Sequence, residues 1–99
     1  MQWGAFRRLV EELRASGNQV LVVVGPFNEH MIAPDNRLAH QKMRMEITSW
    51  LKQNGLPYVA PETLPGSLYA DASHPLTEGY ELLAKRLHQE IDFQKWLNQ

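Results

Sequence analysis

The amino-acid sequence predicts an α/β fold in which helices cover a parallel sheet. Three observations carry that expectation. Val20-Leu21-Val22-Val23-Val24 is an unbroken apolar, largely β-branched run between Gly17 and Gly25. A strand with no polar alternation is buried on both faces, which is the habit of parallel sheets. The surrounding pattern runs helix, strand, helix, strand, helix, and that alternation argues for parallel strands joined by right-handed crossovers. Finally, Gly17 and Gly55 stand where the first two helical patterns stop.

Each element has its own signal. Phe6, Leu9, Val10 and Leu13 recur at helical spacing with Arg7, Arg8, Glu11, Glu12 and Arg14 between them, an amphipathic helix. Ser16-Gly17-Asn18 ends it, with Gly17 as the left-handed residue past the C-terminus. The Val20–Val24 strand follows, since five residues are too few for a buried helix. Gly25 to His30 forms a loop at the strand's carboxyl end, where open α/β sheets bind ligands. Pro34-Asp35 starts the second helix, Ala39, Met43, Ile47, Trp50 and Leu51 form its apolar stripe, and Asn54-Gly55 closes it. Leu56 to Ala60 is a shorter second strand, its proline tolerated near the start. Pro61 to Ser73 is a loop. Thr77 is the expected N-cap of the last long helix, with Glu78 in its first turn. Tyr80, Leu83, Ala84, Leu87 and Ile91 form its expected buried face, and Phe93, Trp96 and Leu97 a short final turn that packs back.

Length and composition set the bounds. A chain of 99 residues suits one domain with a modest core. It is 43% hydrophobic and 21% charged, ordinary globular values that argue against disorder. The net charge of −1 and the interleaving of acids with bases speak against a nucleic-acid partner. There is no cysteine, so disulfides, thiolate nucleophiles and cysteine zinc sites are excluded, while the compartment stays open. The longest apolar run is far short of a membrane span. Met1-Gln2-Trp3-Gly4 opens without an apolar signal core, although a signal can precede an excised segment. Two strands are few for a doubly covered sheet and leave unpaired edges. The chain therefore reads either as part of a larger sheet or as a protomer that completes its sheet through a partner.

The chemistry concentrates in Asp71-Ala72-Ser73-His74-Pro75. Taken alone the Asp-x-x-His spacing is a weak signal, though on a tight loop it can bring a carboxylate to one imidazole nitrogen. The same four residues also make an ordinary turn, with Asp71 holding backbone and His74 preceding a proline. His30, on the first strand-end loop, is a candidate to face substrate. His40 and His88 fall on polar helix faces and are expected to be solvated. No short histidine spacing supports a metal. Phe6, Trp50, Tyr80 and Trp96 are expected in the core.

The block Asp71-Ala72-Ser73-His74-Pro75-Leu76-Thr77-Glu78-Gly79-Tyr80, with Leu83-Ala84 and Leu87, resembles the closing segment of the SGNH (GDSL-type) serine hydrolases. Gly17 to Pro26 is similar to that family's penultimate strand, and the likeness spans about residues 5–91. The resemblance implies a three-layer α/β/α, flavodoxin-like architecture of which this chain is the C-terminal portion. It also implies that His74 is the general base of a Ser-His-Asp triad and that Asp71 orients it. The substrate is then a small acyl ester, such as a lipid or an acylated sugar, and neither metal nor organic cofactor is needed. The family's Gly-Asp-Ser nucleophile block and its oxyanion blocks have no counterpart before residue 5. Gly25-Pro26-Phe27-Asn28 is superficially like the oxyanion block, which makes Asn28 a second candidate substrate contact. Ser16, Ser49, Ser67 and Ser73 lack the strand-to-helix context of a nucleophile elbow. The chain is thus expected to be inactive alone. The alternative is a non-catalytic α/β module, either a remnant or an interaction domain, one version of which self-associates through the open Val20–Val24 edge.

Overall fold

In the computed structural model, which describes residues 3–99, the order helix, strand, helix, strand, helix is present. Met1 and Gln2, which open the stretch read as lacking a signal core, lie outside the described residues. The first helix, α1, spans Trp3–Ala15. Gly17 ends it at φ +86°, donating to the Arg14 carbonyl at 3.0 Å, while the Asn18 N–H reaches the Leu13 carbonyl at 3.0 Å. These two bonds satisfy carbonyls that the helix end leaves open.

Strand β1 comprises Val22–Val23 and β2 comprises Tyr58–Val59, paired in parallel with Val22 opposite Tyr58 and Val23 opposite Val59. Bonds from the Val22 N–H to Pro57 (3.0 Å) and from the Val24 N–H to Val59 (2.9 Å) extend the ladder by a residue at each side. Both strands are shorter than the Val20–Val24 and Leu56–Ala60 spans expected, because only the residues that face each other form a ladder. The chain is therefore a helix-rich α/β structure around a two-stranded parallel sheet.

Helix α2 (Arg37–Gln53) follows a 3-10 turn at Pro34–Asn36. Its end repeats the α1 device: Gly55 at φ +65° donates to Lys52, and the Leu56 N–H donates to Leu51. Leu51 and Leu56 then meet Val10 and Val24 in the main core, with Phe6, Val20, Val22, Ile47, Trp50, Tyr58 and Ala60 packed around them. Trp3 stacks on Trp50 with centroids 4.4 Å apart, and Phe6 meets Trp50 edge-on at 5.9 Å. This aromatic group locks α1 to α2. Val22, Val24, Tyr58 and Ala60 share this side by strand alternation, which sends Val23 and Val59 to the other.

Helix α3 spans Thr77–Gln89 and packs against α4 (Ile91–Leu97), which in turn contacts β2. Leu76, not Thr77, is the N-cap, and no side chain caps the helix. Several expected burials are corrected. Val23 is 40% exposed, so β1 is not buried on both faces. Ala39 and Met43 drop out of the α2 stripe, which narrows to Ile47, Trp50 and Leu51. Tyr80 and Ile91 are 53% and 59% exposed and Ala84 is exposed, leaving Leu83 and Leu87 half-buried on α3. Cover at these positions is only partial among the described residues: Tyr80 lines an open groove, and α4 reaches β2 but leaves Val23 open. No helix among the described residues is long and apolar enough to cross a membrane.

Candidate active site

The loop from Pro61 to Leu76 is built around the buried side chains of Leu64 and Tyr69, with Pro61 and Pro75 buried at its two ends. The Tyr69 hydroxyl accepts from the Leu64 N–H at 3.0 Å and donates to the Phe27 carbonyl at 3.1 Å. The Thr63 hydroxyl donates to the same carbonyl at 2.8 Å and accepts from the Glu29 N–H at 3.2 Å. The loop leaving β2 is thereby tied to the loop leaving β1.

Within it the chain folds back on itself. Tyr69 and Pro75 form an antiparallel bridge, the Ala70 N–H donates to the His74 carbonyl at 2.7 Å, and the Leu76 N–H to the Leu68 carbonyl at 2.7 Å. Asp71, Ala72 and Ser73 lie at the tip. Helix α3 approaches closely because residue 79 is glycine. A Cβ there would lie 2.6 Å from the Leu68 oxygen and 2.9 Å from the Pro75 Cβ. Asn28 docks the tip to the carboxyl end of β1: its N–H donates to the Ala72 carbonyl at 3.0 Å and its side-chain amide to the Asp71 carbonyl at 3.4 Å.

At the tip the carboxylate and the imidazole face each other. The His74 Nδ1 stands 2.8 Å from Asp71 Oδ1 and 3.0 Å from Oδ2. Asp71 Oδ1 also accepts the backbone N–H groups of Ser73 (2.9 Å) and His74 (2.8 Å). The Ser73 N–H, followed by the His74 side chain, holds the Asp71 carboxyl below its ordinary value of 3.8. An ionised carboxylate at Nδ1 selects the tautomer with the proton on that nitrogen. Nε2 is then the basic nitrogen, on a ring whose side chain is 69% exposed. No described residue is hydrogen-bonded to it. The Ser73 hydroxyl sits 3.2 Å from Nδ1, the nitrogen already engaged by Asp71, and so does not occupy the place of a nucleophile. Ser16 follows α1, Ser49 is within α2, and Ser67 lies on the 3-10 turn Gly66–Leu68.

The structure brings Asp71 and His74 together and places the other two candidates differently. Asn28 is 7% exposed and holds the loop from beneath. His30 lies against Gly66, with Nε2 2.9 Å from the Leu64 carbonyl. It lines a separate cleft of about 270 Å³ with Glu29, Ile32, Arg37, His40, Gln41 and Thr63, which neither Asp71 nor His74 reaches. Nearer the pair, Gly25, Pro26, Phe27, Ser73, Pro75, Tyr80 and Leu83 line a mostly apolar groove of about 260 Å³.

His40, expected on a solvated face, is mostly buried, with Nε2 3.2 Å from Glu29 Oε1. Arg44 joins the same carboxylate at 3.3 Å. Neither contact has a sequence signal, because the partners lie 11 and 15 positions apart with no fixed spacing. Among the described residues no three histidine, aspartate or glutamate side chains converge as a metal site would require. No family model, curated protein or solved structure matches the chain.

Proposed function

We propose that this chain supplies the Asp-His half of an acyl-ester hydrolase of the SGNH type, with the serine nucleophile contributed by polypeptide outside these 99 residues. The observation that supports the reading most is the Asp71 carboxylate on His74 Nδ1, with Nε2 open, at the carboxyl end of a parallel pair of strands. On this reading the two strands belong to a larger sheet in a three-layer α/β/α domain. An incoming serine hydroxyl gives its proton to Nε2 as its oxygen bonds to the ester carbonyl carbon. The imidazolium, held by Asp71, returns that proton to the departing alkoxide. Water, deprotonated by the same nitrogen, then releases the acid and restores the serine. This chemistry uses no metal or organic cofactor. The substrate is a carboxylic ester of a simple alcohol, a lipid or a sugar.

The 99-residue chain by itself should show no acyl-enzyme burst with an activated ester and no stoichiometric labelling by a serine-directed phosphonate. In the natural protein, His74→Ala should lower ester turnover by three orders of magnitude or more, roughly the loss expected for a triad base. Intact turnover in that variant would sink the reading.

One observation favours a second reading. Asp71 Oδ1 also caps the backbone N–H groups of Ser73 and His74, which is what a turn-forming aspartate does. On that reading the chain is a non-catalytic interaction module, its loop kept for shape, and His74→Ala changes no turnover.

A further inference from the structure

We propose that Arg44 is a positioning residue whose guanidinium holds the two strand-end loops together and so seats the Asp71–His74 tip. The inference rests on the reading of that tip as a catalytic pair for its functional meaning, but not for its geometry.

Arg44 lies on α2, away from the loop, yet it reaches the exits of both strands. One terminal nitrogen donates to the Ala60 carbonyl at 2.8 Å and the Pro61 carbonyl at 3.0 Å, at the end of β2. The other donates to Glu29 Oε1 at 3.3 Å, on the loop leaving β1. His40 adds a second contact to the same carboxylate oxygen. The carbonyls lie beyond the last ladder bond and so depend on a side-chain donor. A planar guanidinium presents several donors in a fixed fork and can bridge three acceptors; a lysine ammonium is a single point on a flexible stem.

The route from Arg44 to the tip is short. Glu29 is the residue after Asn28, whose N–H and amide hold the Ala72 and Asp71 carbonyls. The Glu29 N–H is in turn bound to Thr63 on the opposite loop. If the Arg44–Glu29 contact is released, the turn at Glu29–Met31 keeps only His40 as its side-chain anchor to α2, and Asn28 is the first residue to feel it. The β1–β2 ladder sits on the other side of the clamp and has its own bonds, including Val24 N–H to Val59.

Amide hydrogen exchange by NMR on the chain as it stands tests this directly. Arg44→Ala is expected to speed exchange of the Asn28 N–H at least tenfold relative to the Val24 N–H. Arg44→Lys is expected to fail to restore the ratio, although it keeps the charge. Should Arg44→Ala not fold, Glu29→Gln provides the second variant, with the ratio shifted in the same direction. Equal changes at Asn28 and Val24, no change at either, or full rescue by lysine would each overturn the clamp. Since exchange involves no chemistry at His74, these outcomes are independent of the His74→Ala turnover result.

Discussion

Replacing Gly79 with alanine isolates the contact that presses α3 against the Asp71–His74 loop. Alanine is the better helix former by about 1 kcal/mol in a helix interior, so propensity alone predicts stabilisation. The structure predicts the reverse. The added methyl would stand 2.6 Å from the Leu68 carbonyl oxygen and 2.9 Å from the Pro75 Cβ, both too close for real atoms. Neither neighbour is the free end of a flexible side chain. The Leu68 oxygen is also the acceptor for the Leu76 N–H at 2.7 Å, the bond that closes the loop's return. Overpacking of this kind costs about 1–3 kcal/mol, and weakening that hydrogen bond adds about 1 kcal/mol. After subtracting the propensity gain, Gly79→Ala should destabilise by about 1–3 kcal/mol. At this chain length each kcal/mol lowers the melting temperature by roughly 4–8 °C. Circular dichroism melts and urea denaturation provide the assay, with Gly4→Ala as the internal comparison. Gly4 is also helical but has nothing within 4 Å of a built Cβ, so that change should be neutral or mildly stabilising. A Gly79→Ala protein as stable as the parent, or more so, would refute the close approach.

Two further outcomes follow from the same geometry. Asp71 has its carboxyl lowered from 3.8, chiefly by the Ser73 N–H and then by His74, so its ionised form favours the folded state. That contribution is present above about pH 4 and fades as the pH falls through the lower folded-state value. In urea titrations the parent should therefore exceed Asp71→Asn in stability above about pH 4, with the gap closing as the pH falls below that; a gap that widens on acidification contradicts the assignment. Leu64 is fully buried beneath the loop, and Leu64→Ala should cost about 2–5 kcal/mol through lost burial and the cavity left behind. A loss well under 1 kcal/mol by urea denaturation would show that the loop does not depend on that anchor.

Some of the molecule was legible in local sequence because the forces involved are local. Gly17 and Gly55 end their helices through bonds to carbonyls three residues back, aided by the next residue's bond to the preceding turn. Asp71 and His74 meet across three positions, since a tight turn folds the chain back over the carboxylate, which also accepts the Ser73 and His74 backbone N–H groups. The parallel pairing of β1 and β2 followed from the helix between them. Burial was less legible: Tyr80 and Ile91 have apolar periodicity, yet the described residues leave each more than half exposed. Periodicity identifies a face and cannot say what lies opposite it.

The sequence alone determined where the chain turns, which segments are helical, and that a carboxylate and an imidazole share one loop, because these depend on residues within a few positions of one another. Only the tertiary structure decided that Asn28 docks that loop from 43 residues away, that Gly79 must lack a side chain, and that Arg44 bridges both strand exits. The Asn28 and Arg44 contacts exist because β1 lies beside β2, and once two distant segments are held side by side, atoms with no relation in sequence become hydrogen-bond partners.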